Sequence, residues 1–128
     1  MKPRYDFSGR TVFVSGGTNG INLGIAEAYA EAGARVAVMS RNAERVASAQ
    51  AQLARHGGQV AGYTGDVRDY GRVQEVLAAV HAQWGEIDVL VSGAAGNFLA
   101  PALNLSPNGF KAVVDIDLNG TFHVLHAS

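Results

Sequence analysis

Two glycines four residues apart, Gly16 and Gly20, stand in the stretch "VFVSGGTNGINLGIAEAYAEAG" (12–33), after a Val-rich run and before a helical pattern. Glycines at such a turn let backbone N–H groups close on phosphate oxygens, and the helix beyond them points its positive end at the same place. The chemistry served is capture of a dinucleotide pyrophosphate. A third glycine would complete the spacing, but the chain places Asn22 there. Ser40 and Arg41 come at the end of the next Val-rich run. An acid at this point holds the ribose 2′-hydroxyl of NAD, whereas a guanidinium makes paired, charge-assisted bonds to a 2′-phosphate. Arg41 therefore points to NADP(H).

These residues need a scaffold that brings strand ends together. Short apolar runs recur at 11–15, 35–40, 59–64 and 87–93, with helical patterns between them. Ile21, Ile25, Ala28, Tyr29 and Ala32 fall on one helix face, and Val73, Val76, Leu77, Val80 and Trp84 on another. Asn42 and Asp69 stand where N-caps belong; Gly33, Gly57 and Gly85 stand where helices close. Strands without clean alternation, separated by helices, predict an α/β fold with a doubly wound parallel sheet covered on both faces. Ser106 and Pro107 open a last helix that is apolar around most of its circumference and calls for partners on several sides.

Composition narrows the function. The 128 residues carry a formal charge of −1 and no basic stripe, which gives nucleic-acid binding little support. The absence of cysteine excludes disulfides, thiolate zinc sites and cysteine nucleophiles from this stretch. No apolar run has the length of a membrane span, and "MKPRYDFSGR" holds no signal-peptide core, so a cytoplasmic protein is the expectation. A peroxisomal C-terminal address would be legible only if Ser128 were the true end. The expectation is instead one dinucleotide-binding domain, residues 1–128, forming the N-terminal part of a longer protein.

"SGGTNGI" after the first strand, "GDV" (65–67) after the third and "LVSGAAG" (90–96) after the fourth together resemble the short-chain dehydrogenase/reductase family, over essentially the whole chain. The resemblance implies a Rossmann-type sheet, here reaching only the fourth strand and the helix after it. It implies that Gly16, Thr18, Asn19, Gly20 and Ile21 line the pyrophosphate and adenosine ribose. Asp66 and Val67 would flank the adenine, and Gly93, Ala94 and Ala95 would run towards the nicotinamide. Asn22 replaces the family's third glycine one residue into the helix, where no left-handed backbone is demanded; its amide is expected to donate to a cofactor oxygen. Ser92 replaces the first asparagine of the family's Asn-Asn-Ala-Gly. A flavodoxin-like FMN domain would not explain Arg41 and "LVSGAAG" together.

In that family a Ser and a Tyr-x-x-x-Lys segment transfer the proton. None of Tyr5, Tyr29, Tyr63 and Tyr70 has Lys four residues on, and the only lysines are Lys2 and Lys111. The family's supporting helix asparagine corresponds to Asp117. Phe110, Val113, Val114, Thr121 and Val124 put Asp117 on an otherwise apolar stripe, while Asp115 points elsewhere. A carboxylate buried there must be paired, hydrogen-bonded or protonated, either for catalysis or as a structural acid. The segment 94–122 is similar to 2,4-dienoyl-CoA reductases of the peroxisomal type, which implies Asn97 and Phe98 beside an acyl-thioester pocket and Asp117 holding a proton donor. His123 and His126 lack a third metal ligand, and Asp66 and Asp69 need not face each other.

The reading is an NADP(H)-dependent short-chain reductase acting on an acyl-CoA of the 2,4-dienoyl kind, assembled as a homo-oligomer (tetramer or dimer). A carbonyl or 3-oxoacyl reductase and a non-catalytic dinucleotide-binding fragment are the alternatives.

Overall fold

The computed structural model describes residues 4–94 and 106–128. Four strands, β1 (Thr11–Ser15), β2 (Arg35–Ser40), β3 (Val60–Thr64) and β4 (Val89–Ser92), form one sheet in the order β3-β2-β1-β4. Every pairing is parallel, with Val14 of β1 opposite Val38 of β2 and Val91 of β4. The helices are α1 (Gly20–Glu31), α2 (Ala43–Ala54), α3 (Tyr70–Trp84), α4 (Pro107–Val114) and α5 (Gly120–Ala127), with a π-helical turn, Asp115–Asn119, joining the last two.

The two-residue period of the strands divides the core. Val12 and Val14 point to one face, with Val36, Val38, Ala26 and Ala30 of α1, and Leu53 of α2. Phe13, Ala37 and Met39 point to the other, with Val73, Val76, Leu77 and Val80 of α3 and Val124 of α5. Each fully buried Val, Leu or Phe adds roughly 1.5–3 kcal/mol of hydrophobic stabilisation, and this sheet collects it on both faces. The polar ends of β1 are satisfied: Thr11 Oγ1 accepts from Arg35, and Ser15 Oγ accepts from Gly93 N–H at 3.2 Å.

The α3 face is the one its periodicity predicts. The α1 face is not. Ala26 and Ala30 are buried, Leu23 and Tyr29 pack beside them, and Ile21 is 84% exposed, with Ala28 also outside. A helix that starts in a tight glycine turn lies close over the sheet, so small side chains face inward and the larger Ile21 is turned out. The predicted stretches 59–64 and 87–93 are trimmed to Val60–Thr64 and Val89–Ser92. Ser106 accepts from Gly109 N–H and Pro107 begins α4. Most of the last helical segment lacks cover among the described residues: Phe110, Leu118, Phe122 and Leu125 are exposed, and only Gly120 and Val124 are buried in α5.

Among the described residues three helix starts carry a side-chain cap: Asn42 and Asp69 accept from Arg45 and Arg72 N–H, each at 3.1 Å, besides Ser106. Asp69→Ala should therefore lower stability by about 1 kcal/mol, read as a lower denaturation midpoint with unchanged slope. An unmoved midpoint would show that this cap contributes nothing.

Candidate functional site

All four strands end on the same side, and the loops leaving them enclose a cleft of about 410 Å³. Ligand sites in parallel α/β sheets lie at such carboxyl ends. The turn after β1 is set by Gly16, whose backbone is left-handed (φ 71°) and whose N–H donates to Met39 O at 2.8 Å. A Cβ on Gly16 would stand 2.9 Å from the backbone nitrogen of Ala94, so no other residue fits without moving the chain. Gly20 is left-handed too (φ 58°), but a Cβ there would meet nothing within 4 Å.

Asn19, at the start of α1, makes no side-chain cap. The first N–H groups of α1 are thus not taken by a cap as those of α2, α3 and α4 are. An anion at this helix end would find backbone donors and a favourable dipole together.

The cleft gathers most of the sequence-predicted residues. Gly16, Thr18 and Asn19 come from the first turn, Ser40 and Arg41 from the end of β2, Asp66 and Val67 from the segment after β3, and Gly93 and Ala94 from the end of β4. Gly20 adjoins the wall without lining it, and Ile21 projects away. Ala95, Asn97 and Phe98 lie outside the described residues.

The question raised by Asn22 has a structural answer. Its amide Nδ2 donates to Gly93 O at 2.8 Å, tying the first turn of α1 to the end of β4. A cofactor oxygen was the expected acceptor; the protein itself supplies one. The asparagine takes up the close approach that a glycine would have left open, and it still lines the cleft.

Electrostatics differ around the rim. Arg68 forks onto Asp66, with Nη2 at 2.6 Å from Oδ2 and Nε at 3.0 Å from Oδ1. Those hydrogen bonds, with smaller help from the charge of Arg41, hold the Asp66 carboxyl below its ordinary range. It stays an acceptor at neutral pH. Asp69 caps α3 and does not pair with Asp66.

Asp117 is a correction. It is exposed, not buried in an apolar stripe: the segment that carries it lacks cover among the described residues, Phe110 of the same stripe is exposed too, and a π-helical turn at Asp115–Asn119 interrupts the regular spacing. Ile116 is the residue of this turn that reaches the cleft, while the half-buried Asp115 accepts from Asn119 at 3.0 Å. His123 Nδ1 stands 2.7 Å from the Val67 carbonyl, to which it must donate, and His126 packs on Tyr70. No group of three metal-ligating side chains exists among the described residues.

Sequence reasoning missed Met39, Arg45, Gly65 and Ile116 on the cleft wall. Arg45 was the most legible of these: it sits in the first turn of α2, four residues after Arg41. Ile116 had no signal, since regular helical periodicity does not announce a π turn.

Comparison with known proteins bears on the same geometry. The short chain dehydrogenase family profile matches residues 10–128. The chain belongs to the short-chain dehydrogenase family. It is 41% identical over 120 residues to a peroxisomal 2,4-dienoyl-CoA reductase of Arabidopsis thaliana, covering 94% of this chain and 40% of that protein. It is 40% identical over 125 residues to a D-threitol dehydrogenase of Mycolicibacterium smegmatis, covering 96% of this chain and 48% of that one. Among solved structures, a short chain dehydrogenase from Bacillus anthracis superposes with a TM-score of 0.89 at 36% identity, covering 93% of this chain and 49% of that one. This short-chain dehydrogenase chain thus spans less than half the length of these relatives. No helix among its described residues is long and apolar enough to cross a membrane.

Asn22→Gly restores the glycine spacing and removes the bond to Gly93. It should cost about 1 kcal/mol or more in stability. A loss of only a few tenths, the helix-propensity difference alone, would mean that the bond contributes nothing.

Proposed function

We propose that this chain is the cofactor-binding part of an NADP(H)-dependent short-chain reductase whose substrate is an acyl-CoA of the 2,4-dienoyl class. The observation that carries the cofactor choice is Arg41 on the cleft wall at the end of β2, where NAD-binding chains place an acid. The residues fit a dinucleotide: the uncapped start of α1 and the Gly16 turn for the pyrophosphate, Asp66 and Val67 for the adenine, and Arg41 with Ser40 for a 2′-phosphate. Gly20 and Ile21 belong to the same turn, Gly93 and Ala94 are assigned to the nicotinamide side, and Ala95, outside the described residues, is assigned there on the family resemblance alone.

The nicotinamide supplies the hydride in such reactions. The chain's own contribution is to hold the cofactor and to shape one wall of the substrate site. The dienoyl-CoA assignment is supported by the named activity of the Arabidopsis relative and by the resemblance of the segment 94–122 to that type. A polyol or carbonyl substrate is the second reading, supported by the D-threitol dehydrogenase at nearly equal identity. Asp117 adjoins Ile116 on the cleft wall, and its proposed part is to position a proton-donating water or side chain. The exposed apolar residues Phe110, Leu118, Phe122 and Leu125 support a homo-oligomer.

Two measurements on the full-length protein test this reading. Arg41→Asp should weaken NADPH binding at least tenfold, about 1.4 kcal/mol, with a much smaller effect on NADH; equal losses would remove the 2′-phosphate assignment. Asp117→Ala should slow reduction of a dienoyl-CoA about tenfold or more while the NADPH dissociation constant stays within twofold. Unchanged turnover would make Asp117 a surface acid only.

A further inference from the structure

The segment after β3 lines the cleft through Gly65, Asp66 and Val67, outside any helix or strand. Asp66 is held locally: Arg68 grips its carboxylate, and its carbonyl accepts from Asp69 N–H at 3.0 Å. Val67 is held from α5. Its carbonyl accepts from His123 Nδ1 at 2.7 Å, across 56 residues of chain. Its side chain lies over Gly120, where an added Cβ would stand 2.5 Å from Val67 Cγ2. Gly120 has ordinary helical angles (φ −62°, ψ −41°), so backbone freedom does not explain a glycine there. Glycine within a helical run is a destabilising choice relative to alanine, and the close approach of Val67 accounts for it. Gly120 and His123 are three apart and share a helix face. One gives room to the Val67 side chain and the other gives a donor to its carbonyl. The donor is itself anchored. Val124, next in the chain, is wholly buried in the core with α3, and the Tyr70 ring stands 5.3 Å from the imidazole.

We propose that His123 is a positioning residue of the cofactor site, holding the Val67 backbone in the orientation that reads the edge of the adenine base. The inference rests on the proposed assignment of Asp66 and Val67 to the adenine and deepens it. Val67 is only 6% exposed, and among the described residues its N–H has no hydrogen-bond partner. A backbone donor in such a place needs an acceptor, and the cleft that Val67 lines is where a ligand can bring one. With the carbonyl bonded and the side chain seated on Gly120, that N–H keeps one direction. His123 meets no ligand in this account; it acts through Val67.

The test titrates the full-length protein with NADPH and NADH and with the hypoxanthine analogue of each. Hypoxanthine carries a donor at N1, where adenine carries an acceptor, so the preference between the two bases reports how the edge is read. Including NADH frees the result from the 2′-phosphate assignment. Wild type should prefer adenine about tenfold, and His123→Leu, which has no donor, should lose most of that preference. Asn carries its amide nitrogen as many bonds from the backbone as His Nδ1, and Gln carries it one bond further. His123→Asn should therefore restore the preference and His123→Gln should not. Melting curves confirm that each variant is folded at the titration temperature. A His123→Leu protein that keeps the preference, or that loses affinity for both bases equally, would overturn the positioning role and leave the cofactor reading standing. Equal behaviour of the Asn and Gln variants would overturn it as well. A wild type that binds both bases alike would remove the adenine assignment of Asp66 and Val67 and this inference with it. Failure of the wild type to bind any of the four would remove the dinucleotide reading altogether.

Discussion

The close approach of the turn after β1 to the end of β4 is the constraint on which the site depends. Gly16 lies so near Ala94 that even a methyl group would displace the backbone, and Asn22 reaches from α1 to the Gly93 carbonyl. These two contacts fix the start of α1 relative to the strand ends. They also determine that α1 packs on the sheet through Ala26 and Ala30. A larger inward face would lift the helix and open the turn. The cleft exists because the turn is held down at one side and the loops after β2 and β3 rise on the other.

Charge is distributed around that cleft by ordinary pairing rules applied unevenly. Asp66 is locked by Arg68, so the carboxylate keeps its charge and a defined orientation. Asn42 and Asp69 spend their side chains on helix caps. The rest of the wall is cationic at the end of β2 and donor-rich at the start of α1. That polarity suits a phosphate-bearing ligand.

Much of the scaffold was legible because its physics is local. Val-rich runs became parallel strands, the α3 stripe became a buried face, and Asn42, Asp69 and Ser106 became caps. The cleft lining was legible where it derives directly from strand ends, as at Gly16, Arg41 and Asp66. It failed where a long-range contact or an irregular turn intervened. Asn22 found its acceptor 71 residues away in the chain. At the π turn Asp115–Asn119 Ile116 lines the cleft and Asp117 is exposed, and regular helical spacing does not encode such a turn. Ile21 failed for a third reason: hydrophobicity predicted burial, but the turn's geometry faced it outward.

The most direct test of the central claim is a crystal structure of the full-length protein with NADP+ bound. Pyrophosphate density is expected at the turn formed by Gly16, Thr18 and Asn19, adenine beside Asp66 and Val67, and the 2′-phosphate against Arg41. A dinucleotide bound elsewhere, or a 2′-phosphate turned to solvent away from Arg41, would contradict it.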